Sequence, residues 1–325
     1  MEALDALREL DPTAWDTGLS PQGAQRAWHE SIDALERGLT ELPEIPVTQN
    51  PGRLWIWCAA NVFTAPLPWL LLAKLAKLPV VLKAPSARPD SVAAIAQVFG
   101  AQLVTSTSDG LKRIGTQDRV LGFGGDAAMA ELGSALPKGL RQSLHGHRVS
   151  FAVIHDPTPQ IARALALDAA LYDGQGCMSP AAVFCLNRSA QLAKDIATEL
   201  ERLATEMPRG PLPPHLGPLW RERVGLSRIL GAQGHAPCHA ARDWAVPELP
   251  ASRAQAVVLP RMLPVHPIDD VSELAPLAKL PLSTLATDGP SLDLPFTRVT
   301  KPGAMQRPAL STVHESVDLV RRLMV

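Results

Sequence analysis

The sequence predicts an α/β protein built on parallel sheets. Short, continuously apolar segments alternate with amphipathic ones, as where Leu54–Ala60 is followed by Pro68–Leu78. Strands that are apolar along their whole length are typical of parallel sheets covered by helices on both faces. Hydrophobic residues make up 46% of the 325-residue chain and charged residues 19%, which is the composition of a globular protein with a sizeable core.

Each element follows from its local pattern of apolar residues. The predicted strands are Leu54–Ala60, Val80–Lys83, Gln102–Thr105, Arg119–Phe123, Val149–Ile154 and Ala254–Leu259. The predicted helices are Ala24–Leu39, Pro68–Leu78, Ser91–Phe99, Ala127–Leu136, Pro159–Leu171, Gln191–Glu206 and one that begins near Asp269. Residues 208–218 are rich in proline and are predicted to form loops.

Polar residues and glycines follow three of the predicted strands. Asn61, Lys83 and Gly124 each come after a strand. Ligands of parallel sheets bind at the carboxyl ends of the strands, so these positions predict a binding edge. The glycines Gly124 and Gly125 do not complete a dinucleotide fingerprint. Asp126 is predicted to be the N-cap of the following helix.

Cys177 is the candidate nucleophile. It follows Gly174-Gln175-Gly176, where the glycines allow the backbone to bend and to pass close to a ligand. Ser179 and Pro180 predict that a helix begins here, because proline is favoured in the first turn. The positive end of that helix dipole would favour the reactive thiolate form of Cys177. The alternative is a buried structural cysteine.

Charge, hydropathy and residue spacing argue against several classes of function. A net charge of −1 gives no reason to expect binding to nucleic acid or to an anionic membrane. The apolar stretch Ala65–Leu82 is interrupted by prolines and lysines, so no membrane span is predicted. The N-terminus does not read as a signal peptide, and a cytoplasmic protein is expected. The cluster His235–His239 lacks a complete zinc-ligand spacing, so no metal site is predicted.

Several segments fall in a recognisable order. Ala60-Asn61-Val62-Phe63, Val81-Leu82-Lys83-Ala84-Pro85-Ser86 and Gly174-Gln175-Gly176-Cys177 together resemble the aldehyde dehydrogenase superfamily. Further segments resemble one branch of it, the acyl-CoA reductases typified by the fatty acid reductase of bacterial luminescence. These are Gly146-His147-Arg148-Val149-Ser150-Phe151, Gly176-Cys177-Met178-Ser179-Pro180, Asp243-Trp244-Ala245-Val246, Val265-His266-Pro267-Ile268-Asp269-Asp270 and Gly303-Ala304-Met305-Gln306-Arg307-Pro308.

The resemblance implies roles for individual residues. Cys177 would attack an acyl thioester and form an acyl-enzyme. The side-chain amide of Asn61 and the backbone N–H of Cys177 would stabilise the oxyanion. The stretch Ser143–His147 stands where hydrolytic members carry a water-activating Glu, and it contains no carboxylate. The acyl-enzyme would therefore await a hydride or a thiol, with His145 and His147 in structural hydrogen-bonding roles or, alternatively, shuttling protons.

The same resemblance implies a nicotinamide cofactor. Lys83 would contact the adenosine ribose, and Gly124 with Gly125 would form the turn into a helix that faces the pyrophosphate. Ser86 stands where a Glu would repel a 2′-phosphate, and Arg88 is placed to pair with that phosphate. NADPH is therefore favoured, with NADH as the alternative.

The resulting hypothesis is an aldehyde dehydrogenase-like acyl-CoA reductase. Residues 1–147 would form a Rossmann-like cofactor domain, residues 148–295 an α/β catalytic domain, and residues 296–325 a segment packing back across the domains. The substrate would be an acyl-CoA or an acyl-carrier thioester, and a homodimer is the default assembly implied by the superfamily. The alternatives are a cysteine acyltransferase or thioesterase without hydride transfer, and an inactive binding or scaffold subunit.

Overall fold

The computed structural model describes residues 2–42, 52–234, 237–250, 258–308 and 310. The chain divides into two compact units. The first comprises Met1–Thr17, Ala27–His147 and Arg307–Val325, and the second comprises Gly18–Arg26 and Arg148–Gln306. The assignment of cofactor binding and catalysis to particular parts of the chain stays a prediction.

The first unit is organised around a five-stranded parallel sheet. Its strands are β1 (Leu54–Trp57), β2 (Val80–Lys83), β3 (Gln102–Val104), β4 (Arg119–Phe123) and β5 (Arg141–His145). Their spatial order is β3-β2-β1-β4-β5, so the direction of strand addition reverses between β1 and β4. All residues of β1 and β4 are buried, because these strands are central and helices cover both faces.

Among the described residues, six α-helices belong wholly or partly to this unit. They are α1 (Glu2–Arg8), α2 (Pro21–Thr40, from Ala27 onward), α3 (Leu67–Leu75), α4 (Asp90–Phe99), α5 (Thr107–Arg113) and α6 (Asp126–Ala135). Helix α4 ends at Gly100, whose left-handed φ of 63° suits a residue without a Cβ. Helix α5 begins where the Ser106 hydroxyl accepts the Asp109 N–H.

The second unit repeats the same strand arrangement. Its five-stranded sheet contains β6 (Val149–Ile154), β7 (Pro180–Cys185), β10 (Val265–Pro267), β11 (Leu282–Thr287) and β12 (Arg298–Thr300), all parallel. The spatial order is β10-β7-β6-β11-β12, with the reversal between β6 and β11. Strands β8 (Cys238–Ala240) and β9 (Ala245–Pro247) form a separate antiparallel pair.

Helices α7 (Pro159–Ala170), α8 (Ser189–Glu206) and α9 (Gly217–Ala232) belong to the second unit. Helix α7 is capped by Thr158, whose hydroxyl accepts the Ile161 N–H. Residues Leu171–Gly174 and Val271–Lys279 form 3₁₀ helices. The buried side chains of α7 and α8 join those of β6, β7 and β10 in one apolar core. Within the described residues, no helix combines the length and the apolar character needed to cross a membrane.

The prediction of an α/β protein with parallel sheets is confirmed, and several individual elements depart from it. Residues 180–185 form strand β7 where a helix was predicted, and that prediction was wrong. Strands β5 and β8–β12 and helices α1, α5 and α9 were not predicted. Of the predicted strand Ala254–Leu259, residues 254–257 lie outside the described residues, and Val258 and Leu259 are not in a strand.

Asp118 ties together the amino ends of β1 and β4. Its carboxylate accepts the Arg53 N–H at 2.8 Å, the Trp55 Nε1–H at 2.8 Å and the Gly115 N–H at 2.9 Å, and it pairs with the Arg53 guanidinium at 3.0 Å. Burial acts to raise the pKa of Asp118, but these hydrogen bonds outweigh burial and hold the pKa below its ordinary value.

The substitution Asp118→Asn is therefore expected to lower the free energy of unfolding of the first unit at pH 7 by about 1.5–3 kcal/mol. A depressed pKa stabilises the folded state above the ordinary Asp value of about 3.9, and the contribution is lost as the pH falls through the lower folded value. Urea unfolding at pH 7 and at decreasing pH measures this. The difference between wild type and variant should shrink on acidification, and a constant difference would contradict the assignment.

Candidate active site

Cys177 lies in a turn immediately before β7. Because β7 is a strand, Cys177 does not lie at the N-terminus of a helix, which corrects the expectation from Ser179 and Pro180. Proline is tolerated as the first residue of a strand, since it need not donate to the ladder there. All six residues of β7 are buried between β6 and β10, so packing rather than the proline decides the conformation. The thiol-bearing residue itself is partly exposed.

The turn that delivers Cys177 has an unusual backbone. Tyr172, Asp173 and Gly174 have φ values of 54°, 52° and 71°, all in the left-handed region. A Cβ on Gly174 would lie 3.2 Å from the Ala169 carbonyl oxygen, so glycine is favoured there for space as well as for φ. Left-handed non-glycine residues of this kind are concentrated at functional sites.

Ser150 holds the backbone of Cys177 from the neighbouring strand. Its hydroxyl donates to the Cys177 carbonyl oxygen at 2.7 Å and accepts the Thr284 N–H at 2.9 Å. Ser150 is completely buried. The hydroxyl thus links the nucleophile turn to both β6 and β11, at the point where the strand order reverses.

A second set of contacts supports the residues after Cys177. The Gln306 amide donates to the Ser179 hydroxyl and, at 3.3 Å, to the Asp168 carbonyl oxygen. The Asp168 carboxylate accepts the Gly303 N–H at 2.6 Å. The segment Gly303–Gln306, part of one that carries the family resemblance, therefore contacts Ser179, two residues after Cys177.

Arg298 braces this segment. Its guanidinium donates to the carbonyl oxygens of Met305 at 2.7 Å and Ala304 at 2.6 Å, and lies 3.9 Å from the Met178 sulfur. Burial lowers the pKa of Arg298 to about 10, and Asp168 partly opposes this change. Arg298 thus holds the carbonyl oxygens of Ala304 and Met305 close to Met178, the residue that follows Cys177.

The other three cysteines are poor nucleophiles. Burial raises the pKa of Cys58 to about 12 and that of Cys185 to about 11, and it raises the pKa of Cys238 as well. Thiols with raised pKa values stay protonated near neutral pH and react slowly. Cys58 and Cys185 are buried, and Cys238 is partly exposed but lies in β8, whereas Cys177 lies in a partly exposed turn whose backbone is held by Ser150.

The candidates for cofactor binding lie in the first unit, along one edge of its sheet. Lys83 is the last residue of β2, Asn61 follows β1, and Gly124 and Gly125 follow β4. Since β2, β1 and β4 are neighbours and parallel, these residues share the carboxyl edge. The reversal between β1 and β4 makes this edge the expected ligand crevice of such a sheet. Asn61 is exposed there.

Lys83 is buried against Cys58. Burial lowers the pKa of the Lys83 ammonium, and Cys58 opposes that change. The Cys58 N–H donates to the Lys83 carbonyl oxygen at 3.0 Å, which continues the pairing of β1 with β2. The lysine is thus fixed by the sheet at its carboxyl edge, in contrast to a mobile surface lysine.

Ser86 and Arg88 lie in the loop after β2. Ser86 is exposed, and Arg88 is half-buried with a left-handed φ of 61°. The Arg88 Nε–H lies 3.3 Å from an Asp16 carboxylate oxygen. Because Asp16 is largely exposed to water, this ion pair contributes little and leaves Arg88 open to exchange of partners.

Gly124 and Gly125 lead into helix α6. The Gly124 N–H donates to the His145 carbonyl oxygen at 3.1 Å, and Gly125 is the N-cap residue without a side-chain cap. A Cβ placed on Gly125 would meet no atom within 4 Å, so the helix N-terminus is open on that side. Asp126 was predicted to be the N-cap, which was wrong: its carboxylate instead accepts the His147 N–H at 2.6 Å.

His145 and His147 lie at the end of β5. The His145 ring stacks on Phe123 with centroids 5.3 Å apart, and its Nε2 lies 3.0 Å from the Ser143 hydroxyl. Of the predicted polar cluster, His235 falls outside the described residues. Across the described ranges, no group of three or more metal-binding side chains is found.

Sequence reasoning missed Ser150, Asp168, Asp173, Arg261 and Arg298. Each acts through partners far away in the chain, as in the hydrogen bond between Thr284 and Ser150 across 134 residues. The available signal was composition: a serine or an aspartate inside an apolar segment must find a hydrogen-bond partner when buried. That signal identifies a buried polar residue without identifying its partner.

Comparison with known proteins shows both the fold and the family. The chain resembles the solved structures of a NAD-dependent benzaldehyde dehydrogenase from Corynebacterium glutamicum (TM-score 0.69, 14% identity, 93% of this chain and 79% of that chain), and a putative methylmalonate-semialdehyde dehydrogenase from Sinorhizobium meliloti 1021 complexed with NAD (TM-score 0.71, 12% identity, 99% and 82%). It also resembles glyceraldehyde-3-phosphate dehydrogenase GapN from Methanocaldococcus jannaschii complexed with NADP (TM-score 0.68, 14% identity, 94% and 79%).

At these identities the likeness establishes the fold, which confirms the predicted aldehyde dehydrogenase-like architecture. No curated protein sequence matches the chain. The family model described as acyl-CoA reductase (LuxC) matches residues 49–279, well over half of the chain. The protein therefore belongs to the acyl-CoA reductase (LuxC) family.

Proposed function

We propose that the protein reduces an acyl thioester to an aldehyde through a covalent acyl-enzyme on Cys177. The family membership supports a reductase or dehydrogenase that handles aldehydes. The observation that carries the finer proposal is the Cys177 turn, whose carbonyl is held by the buried Ser150 while the thiol-bearing residue stays partly exposed. An acyl-CoA is the substrate that the family suggests, and an acyl-carrier thioester has the same reactive group.

In the first step, the Cys177 sulfur forms a bond to the acyl carbon. The tetrahedral species collapses by breaking the bond to the coenzyme A sulfur, which departs as a thiolate and takes up a proton. We assign the developing oxyanion to two donors, the Asn61 amide and the Cys177 backbone N–H. The Cys177 N–H shares its peptide group with the Gly176 carbonyl oxygen, which accepts the Ser179 N–H at 2.9 Å, so the plane of this donor is restrained before the substrate arrives.

In the second step, hydride addition to the thioester carbonyl gives a thiohemiacetal on Cys177. This collapses to the aldehyde with Cys177 as the leaving group. Overall, acyl-CoA, NADPH and a proton give aldehyde, NADP⁺ and coenzyme A. The stretch Ser143–His147 offers no carboxylate to activate water, and its His145 is engaged with Ser143 and Phe123. That arrangement favours reduction over hydrolysis of the acyl-enzyme.

The carboxyl edge of the first sheet fits a dinucleotide. The open N-terminus of α6 at Gly125 offers N–H donors and the positive end of a dipole to a pyrophosphate. Lys83 stands at the same edge for the adenosine ribose. A bound nicotinamide cofactor supplies the hydride. We therefore assign cofactor binding to residues 1–147 and catalysis to residues 148–295, and a homodimer is the assembly we expect.

NADPH is the proposed form of the cofactor. Ser86 places no carboxylate against a 2′-phosphate, and the nearby Arg88 forms an ion pair with the largely exposed Asp16. An exposed ion pair of this kind is exchanged at little cost for a dianionic phosphate.

The variant Arg88→Ala is expected to raise the KM for NADPH about tenfold, which corresponds to about 1.4 kcal/mol, and to leave the KM for NADH unchanged. Steady-state kinetics with both cofactors measures this. Lys112→Ala removes an equal charge from exposed helix α5 and serves as the control. Equal changes for both cofactors, or none, would refute the assignment of Arg88.

The proposed function is tested by following NADPH absorbance and free thiol release with a series of short to long acyl-CoAs. Oxidation of NADPH that requires acyl-CoA, with one coenzyme A released per NADPH, is the expected result. Release of coenzyme A without NADPH oxidation would replace the reductase by an acyltransferase or thioesterase. If the protein neither binds NADPH nor turns over acyl-CoA, the proposed reductase activity is wrong, and the inactive binding or scaffold subunit is the remaining alternative.

A further inference from the structure

We propose that Asp173 and Arg261 are positioning residues for Cys177, because their buried ion pair holds the turn that sets the location of the thiol. The inference rests on the proposed role of Cys177 as the nucleophile. It gives neither Asp173 nor Arg261 a contact with substrate: the pair acts through the backbone of the turn.

The ion pair is buried, and Asp173 takes part through both carboxylate oxygens and its backbone carbonyl oxygen. The Arg261 Nε–H donates to Asp173 Oδ1 at 2.7 Å, and the two side chains are only 1% and 3% exposed. The Gly210 N–H donates to Asp173 Oδ2 at 2.9 Å. The Arg261 backbone N–H donates to the Asp173 carbonyl oxygen at 3.1 Å. Side chain and peptide group of Asp173 are thus fixed against the same arginine.

The backbone conformation of the turn explains why it needs such a restraint. Tyr172 and Asp173 are consecutive non-glycine residues in the left-handed region, with φ values of 54° and 52°, and Arg261 itself has a φ of 50°. Such residues are uncommon, and they persist only where the surrounding contacts determine the conformation. Without the ion pair, the turn would relax toward ordinary φ values.

The restraint reaches Cys177 through two short hydrogen-bonded turns. The Gln175 N–H donates to the Tyr172 carbonyl at 3.0 Å, and the Ser179 N–H donates to the Gly176 carbonyl at 2.9 Å. Cys177 lies within the second of these turns, and its carbonyl oxygen accepts the Ser150 hydroxyl. The thiol therefore sits between two anchors, and loss of one lets it shift. A displacement of about 1 Å at a reacting group is enough for a loss of about 100-fold in rate.

Stability alone does not account for a buried ion pair here. Replacing such a pair by apolar residues of similar volume is often neutral or stabilising, because both charges must be removed from water. Burial raises the pKa of the Asp173 carboxyl, and Arg261 and the Gly210 N–H oppose that rise. Unlike an apolar contact, the ion pair is directional, because the carboxylate meets Arg261 and the Gly210 N–H in one geometry.

The test compares Asp173→Asn with wild type and with Asp118→Asn, which disrupts a buried carboxylate of the first unit. Two quantities are measured below the melting temperature of every variant. One is the single-turnover rate of coenzyme A release from an acyl-CoA, and the other is hydrogen exchange of residues 174–179. We expect Asp173→Asn to slow acylation about 100-fold and to speed exchange at least about tenfold. Asp118→Asn should change neither.

The outcomes separate the two proposals. Absence of acylation in wild-type protein would refute the proposed function, and hydrogen exchange alone would then decide the role of the ion pair. The positioning role would be overturned if Asp173→Asn acylated and exchanged at the wild-type rates. It would also be overturned if Asp118→Asn changed both rates as much as Asp173→Asn does. If Asp173→Asn does not fold, the double variant Asp173→Asn/Arg261→Gln, which removes both charges of this ion pair, is judged by the same criteria.

Discussion

Replacing Cys177 by serine is expected to lower the rate of aldehyde formation by about 10⁴-fold or more and to abolish the acyl-enzyme. A thiol is a few per cent ionised at pH 7 and is intrinsically nucleophilic, whereas a serine hydroxyl needs a strong base to react. The change removes little volume, so the turn and its bond to Ser150 should persist. Intact-protein mass spectrometry with acyl-CoA and without NADPH detects the acyl adduct directly.

Cys238→Ser provides the matched control for this prediction. Cys238 is also partly exposed, but burial of its thiol raises its pKa, and it lies in β8, apart from the Cys177 turn. We expect this variant to keep the wild-type rate and the adduct. An adduct that survives in Cys177→Ser, or a rate within tenfold of wild type, would assign the chemistry to a different residue.

Replacing Asn61 by alanine is expected to lower kcat by about 10²–10³-fold, because one of two oxyanion donors is lost. This corresponds to about 2.7–4 kcal/mol of transition-state stabilisation. The KM for acyl-CoA should change little, since the oxyanion exists only after attack. Asn61→Asp keeps the shape but carries no N–H donor, so a comparable loss is expected. Steady-state kinetics and the rate of adduct formation measure both variants.

Asn187→Ala controls for the loss of an exposed amide. The Asn187 amide donates to the His155 carbonyl at 2.8 Å, after strand β7, and has no assigned role in the reaction. Its removal should leave kcat unchanged. A rate for Asn61→Ala within threefold of wild type would mean that the oxyanion is stabilised by other donors.

The parts of the fold that could be predicted are those in which local pattern and tertiary position agree. Strands β1, β2, β4 and β6 are central or near-central, so their burial on both faces is visible as a mostly apolar run. Strand β5 is an edge strand with two exposed residues at its start, and its sequence Arg-Gln-Ser-Leu-His carries no such signal.

Strand β7 shows how local signals mislead. Proline after serine is typical of a helix start, yet residues 180–185 pair with β6 and β10. Tertiary pairing outweighed the propensity, as it often does for short apolar segments. Helix α9 was not predicted because of the prolines around it. Pro218 nevertheless lies in its first turn, where proline is well tolerated.

The candidate site could be predicted only as far as its motifs extend. Cys177, Asn61 and Lys83 were identified because each stands in a segment with family resemblance. Arg261 lies 88 residues from Asp173, and nothing in the sequence around either residue indicates the partner. Contacts across such distances depend on how the sheets bring the chain together, which local patterns do not encode.

The strand order of the second sheet has a consequence for how the chain folds. Strand β6 is central, and it acquires β7 early during synthesis, but its other neighbour is β11, as the 134-residue separation of Thr284 from Ser150 shows. Until that segment leaves the ribosome, one edge of β6 has no partner and offers its N–H and C=O groups to any other strand. Long-range parallel pairing of this kind is slow and exposes a chain to aggregation. Premature termination before β11 should therefore yield insoluble protein more readily than a substitution at Cys177.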